Sequence, residues 1–232
     1  MRLHILSIFP KLFENFFSVS LIGKAVEKKI IEVEITDIRQ FAEAPHYHVD
    51  DYPYGGGPGM IMKPEPLSAA IKYAKQRLPN ARVILLSASG QKMTQQRAQE
   101  LARETELLLI CGRYEGVDQR VIDLYVDEEL SIGDVIMMGG EVPAMALIES
   151  VCRLLPDVIG NSDSLTEESF SQRGDGLTLL EWPQYTRPEV FNGREVPEVL
   201  LSGDHGRIRA WRLEQALNKT LITRPDLIKK PC

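Results

Sequence analysis

Cysteine is scarce in this chain, and no two cysteines lie close together in the sequence. The three residues are Cys111, Cys152 and Cys232, an odd number without any CxxC pair. Such spacing argues against both a disulfide-stabilised fold and a structural zinc site. A protein kept reduced in the cytoplasm is therefore the expected class.

Long apolar runs are also missing. No segment approaches the roughly 20 apolar residues that a membrane-spanning helix needs. The N-terminal MRLHILSIF carries a basic residue and an apolar run, but this run is too short for a signal peptide and lacks a small-residue cleavage site. We expect neither a membrane segment nor a secretory leader.

Common phosphate-binding and metal-binding motifs are absent, although glycine is concentrated at residues 50–62, DDYPYGGGPGMIM. This run lacks the Lys-Ser/Thr ending of a P-loop and does not match GxGxxG. Pro64 and Pro66 follow it and disfavour an immediate helix. His46 and His48 lack further ligands and the HExxH spacing, so a structural metal is not expected.

The net charge of −6 excludes a protein that coats nucleic acid by charge alone. Its distribution is uneven, because residues 204–232 carry +4 and the remainder −10. A basic C-terminal segment on an acidic body is typical either of a contact with a phosphate backbone or of a solvated helix face. Charge alone does not separate these two interpretations.

The hydrophobic pattern predicts an α/β fold. A chain of 232 residues with 44% hydrophobic content can bury a sizeable core in one or two domains. Short apolar runs alternate with helical patterns, which favours a mostly parallel sheet covered on both faces. The predicted strands are 3–8, 33–38, 82–87, 107–111 and 135–138, and the predicted helices between them are 66–78, 94–104 and 116–125.

The second half of the chain suggests a smaller domain after a long polar segment. Residues 141–156 have one apolar helical face and end at Pro156. Residues 157–176 are mostly Ser, Gly, Asp and Glu, as in a linker or a segment that orders on binding. A helix with Asp204 as N-cap follows a turn-rich stretch. We predict domains at 1–156 and 177–232, joined by a flexible linker at 157–176.

Three glycine-bearing turns follow apolar runs, at 83–90, 107–116 and 131–141. In an open α/β sheet, ligands bind beyond the carboxyl ends of the strands, so these turns predict one pocket that holds a small molecule by backbone groups. The alternative is that each glycine only serves a turn or a helix cap. Acidic loop residues are candidate acid–base groups: Asp50, Asp51, Glu115, Asp163, Glu167, Glu168 and Asp175.

Five segments in order carry a resemblance to a known family: DDYPYGGGPGMIM, CGRYEGVDQR, SIGDVIMMGGE, EWPQYTRPEVF and VPEVLLSGDH. They resemble the bacterial TrmD family, the tRNA (guanine-N1)-methyltransferases of the SPOUT superfamily, over essentially the whole chain. The resemblance implies a deep trefoil knot in the N-terminal domain, a small and mostly helical C-terminal domain that binds tRNA, and a homodimer whose active site is shared between subunits. General topology rules would instead predict an unknotted chain.

The resemblance also implies that the protein transfers a methyl group from S-adenosylmethionine to N1 of the guanosine immediately 3′ of the anticodon in tRNA. The positions that match the family's cofactor-binding turns are Leu86, Ser87, Gly112, Tyr114, Glu115, Ile132, Gly133, Asp134, Val135, Ile136, Met137, Gly139 and Gly140. The chain departs from the common pattern in reading LSASG and in having Val135 where tyrosine is frequent.

Substrate residues follow from the same resemblance. The glycine-rich loop is expected to line the pocket of a flipped guanine, and the basic helix to contact the tRNA backbone. The implied set is Asp50, Tyr54, Gly55, Gly57, Gly59, Arg207, Arg209 and Arg212.

Catalysis is expected from Glu168 and Arg153. The family's base is an aspartate in a TEDSF-like stretch of the linker, and this chain reads TEESF, which places Glu168 at that position. Arg153 matches the family's arginine at the end of the preceding helix. Re-registration of the loop, or substitution by Glu167, are the alternatives to a direct role of Glu168. Mg²⁺ is implied as an aid to the reaction, held on the RNA or by Glu168 or Glu115.

Two other functions compete with this reading. One is a SPOUT methyltransferase acting on another RNA base. The other is a non-catalytic RNA-binding factor that kept the fold, with TEESF as the trace of lost chemistry.

Overall fold

The structure is a computed structural model, and it describes residues 1–160, 167–171 and 177–228. Two compact units divide the chain, Met1–Gly160 and Asn161–Cys232. The division falls a few residues after the predicted end of the first domain, because Val158 is buried in the core of the first unit. Asp163, Asp175 and part of the predicted linker lie outside the described residues.

The first unit alternates strands with helices. Its strands are β1 (Arg2–Ser7), β2 (Glu32–Asp37), β3 (Asp50–Asp51), β4 (Ile61–Met62), β5 (Arg82–Lys92), β6 (Glu106–Cys111) and β7 (Glu128–Ser131). Its helices are α1 (Ser20–Glu27), α2 (Pro64–Arg77), α3 (Gln95–Leu101), α4 (Gln119–Tyr125) and α5 (Glu141–Cys152).

Five of these strands form one parallel sheet in the order β2-β1-β6-β5-β7. The central strand β6, ELLLIC, is buried at every position, as expected for a strand with both neighbours and both faces covered. The predicted α/β class with a central parallel sheet is thus confirmed. The carboxyl ends of β5, β6 and β7 lie side by side at one edge of the sheet.

Helices cover both faces of this sheet, because alternate strand residues point to opposite sides. Leu107 and Leu109 of β6 belong to a core formed with α1, α3 and α5. Leu108 and Ile110 belong to a second core formed with α2 and α4. A strand buried on both sides reads as a continuous apolar run, which is why β6 was predictable from the sequence.

Side-chain caps fix where several helices begin. Thr94 accepts a hydrogen bond from the backbone N–H of Arg97 at the start of α3, and Asp118 caps α4 in the same way. Helix α2 begins at Pro64, directly after the glycine-rich run. The expectation that the two prolines would oppose an immediate helix is therefore wrong, because proline is tolerated in the first helical turn, where the N–H groups have no helical partner.

One predicted strand is also wrong. Residues 135–138, VIMM, form an irregular loop with exposed side chains, and the strand lies earlier, at β7, sequence EELS. The error arises because β7 is short and opens with two acids, whereas the loop carries the apolar run. An apolar run predicts burial only when something covers it, and nothing in the first unit covers this one.

Among its described residues, the second unit contains a two-stranded hairpin, two α-helices and a short 3-10 helix at Pro225–Leu227. The strands and α-helices are β8 (Val190–Phe191), β9 (Arg194–Glu195), α6 (Glu198–Leu201) and α7 (His205–Thr223). Asp204 caps α7 by accepting hydrogen bonds from the backbone N–H groups of Gly206 and Arg207, as its sequence pattern predicts.

Candidate active site

A cavity of about 470 Å³ lies in the first unit, where the chain leaves β5, β6 and β7. Its walls come from three turns, the segment after Leu86, the turn after Cys111 and the loop between Ser131 and Glu141. This is the edge at which open α/β sheets bind ligands. The structure therefore brings the three glycine-bearing turns together around one space.

The first wall is a bulge within β5. Leu86 pairs with Leu130 of β7, and Gln91 then pairs with the same Leu130, so the intervening residues leave the regular ladder. Gly90 returns the chain so close to β7 that a Cβ atom would collide with the backbone of Glu129 and Leu130. A glycine is therefore required at this close approach.

The second and third walls touch each other through backbone. The N–H of Gly140 donates to the carbonyl oxygen of Gly112 over 2.8 Å, and Arg113 pairs with Gly139 in an antiparallel bridge. A Cβ on Gly140 would lie 2.8 Å from the Cα of Cys111. Here glycine permits two chain segments to pack at backbone distance, which is a structural need as well as a binding one.

Eleven of the thirteen residues predicted for the cofactor line this cavity: Leu86, Ser87, Gly112, Tyr114, Glu115, Ile132, Val135, Ile136, Met137, Gly139 and Gly140. The remaining two, Gly133 and Asp134, lie in the same loop but not on the wall. Asp134 is exposed and forms an ion pair of 2.7 Å with Lys92. This ion pair ties the loop between β7 and α5 to the end of β5, outside the cavity wall.

The cavity fits a small molecule with both apolar and hydrogen-bonding parts. Leu86, Ile132 and Ile136 offer apolar surface, while the turns after β6 and β7 offer backbone groups and Glu115 a carboxylate. These are the features of a pre-formed pocket for a small molecule.

The glycine-rich loop is joined to this cavity. The N–H of Glu115 donates to the carbonyl oxygen of Met60 over 2.9 Å, and the N–H of Met62 donates to that of Gly116 over 2.9 Å. Gly59 lies so close to the Glu115 side chain that a Cβ would collide with it. The predicted base-binding loop and the predicted cofactor turn thus form one continuous surface.

Asp50 and Tyr114 link the same two segments through their side chains. Tyr114 has a left-handed backbone, with φ of 61°, at the mouth of the cavity. Partial burial, and then the nearby charge and hydrogen bond of Asp50, raise the pKa of the Tyr114 phenol. Asp50 therefore lies at the rim, where the glycine loop meets the cavity.

The tip of the glycine loop is open. Tyr54 is fully exposed, and Gly55, Gly56 and Gly57 have positive φ with no atom near their would-be Cβ positions. Their backbone shape requires glycine, but nothing in the protein packs on them. A loop of this kind can approach a flat ligand closely.

Arg113 and Glu141 also belong to this region, although the sequence pattern did not single them out. Arg113 lines the cavity, and Glu141 is buried behind it, in the first turn of α5. An acid at a helix start is ordinarily read as an exposed group that favours the helix dipole. Its burial depends on β1, which is distant in sequence, so no local signal could have identified it.

The two predicted catalytic residues lie in different units. Arg153 caps the C-terminal end of α5 in the first unit and is partly buried. Glu168 lies in a described segment of the second unit, also partly buried. Each has interactions within the structure. The position of each side chain relative to a substrate remains a prediction.

Within the second unit, the Glu168 segment is held by backbone hydrogen bonds. The N–H of Phe170 donates to the carbonyl oxygen of Leu179 over 3.0 Å, and the N–H of Glu181 donates to Ser169 Oγ over 2.9 Å. A small cavity of about 80 Å³ is lined by residues from this segment, from the stretch 179–182 and from α7: Glu167, Glu168, Ser171, Leu179, Leu180, Glu181, Trp182 and Ala216.

The three arginines predicted to contact tRNA are not equivalent. Arg207 and Arg209 are exposed on α7. Arg212 is only partly exposed, lies 4.8 Å from the ring of Trp182 and forms an ion pair of 3.8 Å with Glu167. Its partners inside the second unit set Arg212 apart from the two arginines that face solvent.

Neither a metal site nor a membrane helix appears in residues 1–160, 167–171 and 177–228. No group of three or more His, Cys, Asp or Glu residues there is arranged to hold a metal ion. No helix in that part of the chain is both long and apolar enough to cross a bilayer.

Fold and cavity together define a class: an α/β protein with a cavity formed by three turns at the carboxyl edge of a parallel sheet. The comparisons with known proteins are more specific. The chain belongs to the family described as tRNA (Guanine-1)-methyltransferase TrmD, whose model matches residues 1–230. The resemblance read from the sequence is confirmed.

Curated relatives agree with this assignment along nearly the whole chain. A protein of Dictyoglomus turgidum is 50% identical over 99% of this chain and 91% of its own length. One of Geobacillus kaustophilus is 48% identical over 98% and 91%, and one of Vibrio vulnificus is 50% identical over 97% and 89%. Each is named tRNA (guanine-N(1)-)-methyltransferase.

Proposed function

We propose that this protein transfers a methyl group from S-adenosylmethionine to N1 of the guanosine immediately 3′ of the anticodon in tRNA. The observation that carries the proposal is the family match over residues 1–230. The cavity agrees with it, because its main-chain groups and apolar walls suit the donor. A tRNA substrate implies that the protein acts in the cytoplasm.

Donor binding is assigned to the cavity of the first unit. When bound there, S-adenosylmethionine supplies an activated methyl group on a sulfonium. The turns at Leu86, Gly112 and Gly140 contribute backbone donors and acceptors around it, and Tyr114 and Glu115 close one side. Because these groups are fixed by the sheet, they orient the donor without a large change of shape.

The target base is assigned to the surface between Asp50 and the glycine-rich loop. Guanine N1 is buried in a stacked nucleic acid, so the base must be extruded before an enzyme can reach it. Gly55, Gly57 and Gly59 let the backbone approach a flat ring, and Tyr54 is free to stack on it. The contacts of Met60 and Met62 with the Glu115 turn bring this surface next to the donor cavity.

Glu168 and Arg153 are proposed to carry the chemistry. Guanine N1 holds a proton and is a poor nucleophile until a base removes it, and Glu168 is the carboxylate that takes it. Negative charge then develops on O6, where the permanent charge of Arg153 stabilises it. The side chain of glutamate is one methylene longer than that of the aspartate in the family pattern. The backbone of Glu168 must therefore lie further from guanine N1 by a corresponding distance.

A homodimer with a shared site is part of the proposal. The loop 135–138 and neighbouring surfaces expose apolar side chains, with Ile136 at 88% and Met138 at 91%. Further exposed apolar residues of the first unit are Leu12, Val19, Leu21 and Val142. A loop that exposes consecutive apolar side chains is typical of an interface. A second subunit would bury them and bring its linker to the cavity.

A trefoil knot in the first unit is likewise proposed. Its support is the contact of the chain after β7 with the turn after β6, through Gly140 and Gly112. We retain Mg²⁺ as an aid to the reaction, held with the RNA or transiently by Glu168 or Glu115.

The test is a methyl-transfer assay with nucleotide mapping. Purified protein is incubated with labelled S-adenosylmethionine and a tRNA transcript that carries the target guanosine, and the digest is analysed by chromatography. Label is expected in N1-methylguanosine, and it should vanish when that guanosine is replaced by adenosine. Label in another nucleotide would indicate a methyltransferase of a different RNA base. Binding of tRNA without label would indicate a non-catalytic factor.

A further inference from the structure

We propose that Arg113, held by Glu141 and Ser7, is a positioning residue that fixes the loop between β7 and α5 and so sets the shape of the donor cavity. The inference rests on the proposed use of that cavity for S-adenosylmethionine. It concerns two residues, Arg113 and Glu141, to which the predicted cofactor contacts assign no role.

Glu141 is the anchor. Its side chain is only 1% exposed, yet both carboxylate oxygens have partners. Ser7 Oγ donates to Oε1 over 2.7 Å, and Arg113 Nε donates to Oε2 over 2.8 Å. Since a buried carboxylate without partners is costly, this pair of contacts makes the position of Glu141 depend on both β1 and the turn after β6.

Ser7 ties the anchor to the end of β1. Besides donating to Glu141, its hydroxyl oxygen accepts a hydrogen bond of 2.8 Å from the backbone N–H of Phe9. This fixes the hydroxyl proton toward the carboxylate. The carboxylate also lies at the N-terminal turn of α5, where the helix dipole favours negative charge.

Arg113 connects Glu141 to the cavity wall. Its Nη1 donates to the carbonyl oxygen of Met138 over 3.2 Å, and its guanidinium lies 4.5 Å from the ring centre of Phe9. Gly139 packs directly on the guanidinium, with no room for a Cβ. The planar group is therefore fixed on its face by Phe9 and at its edge by Glu141 and Met138.

The consequence concerns the loop that lines the cavity. Met138 and Gly139 form the end of that loop. The side chains of Ile136 and Met138 are exposed to solvent, so the protein packs little against the loop from outside. Beside the backbone pairings of Gly140 with Gly112 and of Gly139 with Arg113, the Arg113 side chain holds this end through the carbonyl oxygen of Met138. Lysine cannot replace it, because an ammonium lacks the fork that serves a carboxylate and a carbonyl together.

The experiment compares Arg113→Lys and Glu141→Gln with a matched pair elsewhere in the first unit. Arg97 and Glu128 form an ion pair of similar burial, with side-chain exposures of 22% and 9% against 19% and 1% for Arg113 and Glu141. Neither lines the donor cavity. Arg97→Lys therefore controls for the loss of a partly buried ion pair as such.

Two readouts are made without turnover, and the Kd for tRNA is measured beside them as a control. Calorimetry gives the Kd of S-adenosylhomocysteine, and hydrogen exchange of the ligand-free protein gives the protection of amides in residues 132–140. We expect Arg113→Lys and Glu141→Gln to weaken binding at least tenfold, since small misplacements of a binding group are costly. We also expect faster exchange in 132–140, with the Kd for tRNA unchanged.

Arg97→Lys should leave both readouts near wild type, even if its melting temperature falls as far as that of Arg113→Lys. Wild-type affinity and exchange in Arg113→Lys would overturn the inference, and so would an equal loss in Arg97→Lys. If the wild-type protein itself binds no S-adenosylhomocysteine, the proposed function fails, whereas the exchange measurement still decides whether Arg113 anchors the loop.

Discussion

In the first unit, Met1–Gly160, the groups proposed to face the donor belong to three turns, held by a sheet with buried strands and by glycines that allow close approach. In the second unit, the groups proposed to contact tRNA are side chains on a helix and a short segment, and several of them face solvent. The difference suggests a division of labour. In the proposal, the first unit supplies a pre-formed cavity for the donor. The second unit supplies charged side chains, and their contacts with tRNA depend on where the chain places them.

This comparison has consequences for how each unit tolerates change. A backbone-lined cavity accepts variation in side chains, as in the LSASG bulge, but not at Gly90 or Gly140, where a Cβ meets main chain. A site made of side chains tolerates small shifts of the backbone, but not a change in the charge or the length of those side chains. The following changes test the comparison, from the largest expected effect to the smallest.

Replacing Glu168 by glutamine should have the largest effect. The change removes the proposed base but preserves size, so methyl transfer should fall by about 10²- to 10⁴-fold. Binding of S-adenosylhomocysteine should persist, because the donor cavity belongs to the first unit. Single-turnover transfer and calorimetry measure the two quantities separately.

Glu167→Gln is the control for that change. Glu167 is exposed and pairs with Arg212, so we expect turnover within a few-fold of wild type. If Glu167→Gln were inactive while Glu168→Gln transferred methyl groups normally, the base would be Glu167, and the assignment made from TEESF would be wrong.

Gly140→Ala should have the next largest effect, and in the opposite unit. The added Cβ would lie 2.8 Å from the Cα of Cys111, and main chain cannot move aside cheaply. We expect a stability loss of about 1–3 kcal/mol. We also expect clearly weaker binding of S-adenosylhomocysteine. Thermal unfolding and calorimetry test this.

Gly160→Ala is the matched substitution. Nothing lies within 4 Å of its would-be Cβ, and its φ is not in the left-handed region. It should unfold and bind as wild type does. A Gly140→Ala variant that behaved like Gly160→Ala would show that the close contact with Cys111 is not needed.

The smallest effect is expected from the double change of Arg207 and Arg209 to glutamine. Both side chains are exposed on α7, so the fold should be unaffected while tRNA binding weakens. Loss of phosphate contacts should lower the slope of log K against log salt by about 1–2. A filter-binding series at several salt concentrations measures it.

Arg212→Gln separates a phosphate contact from an internal one. Because Arg212 pairs with Glu167 and lies over Trp182, its loss should alter the second unit's melting more than the salt slope.

An unchanged slope in the Arg207 and Arg209 double variant would contradict the assignment of α7 to the tRNA backbone.

Much of the first unit was predictable because local pattern and burial agree there. ELLLIC reads as a strand covered on both faces, and β6 is fully buried. In the second unit, Asp204 likewise reads as a helix cap and acts as one. VIMM shows the limit of this reasoning, because its apolar residues lie in an exposed loop and the neighbouring strand has the more polar sequence EELS.

Sequence by itself determined the alternation of strands and helices, the glycine turns and the family, since each depends on residues that are neighbours in the chain or on an ordered set of motifs. Tertiary structure alone decided that the buried Ser7 and Glu141 form one cluster with the partly buried Arg113. It also decided that Arg212 faces Trp182 while Arg207 faces solvent. The physical reason is that burial and charge pairing depend on the strand order and on helix packing, which bring together residues from distant parts of the chain.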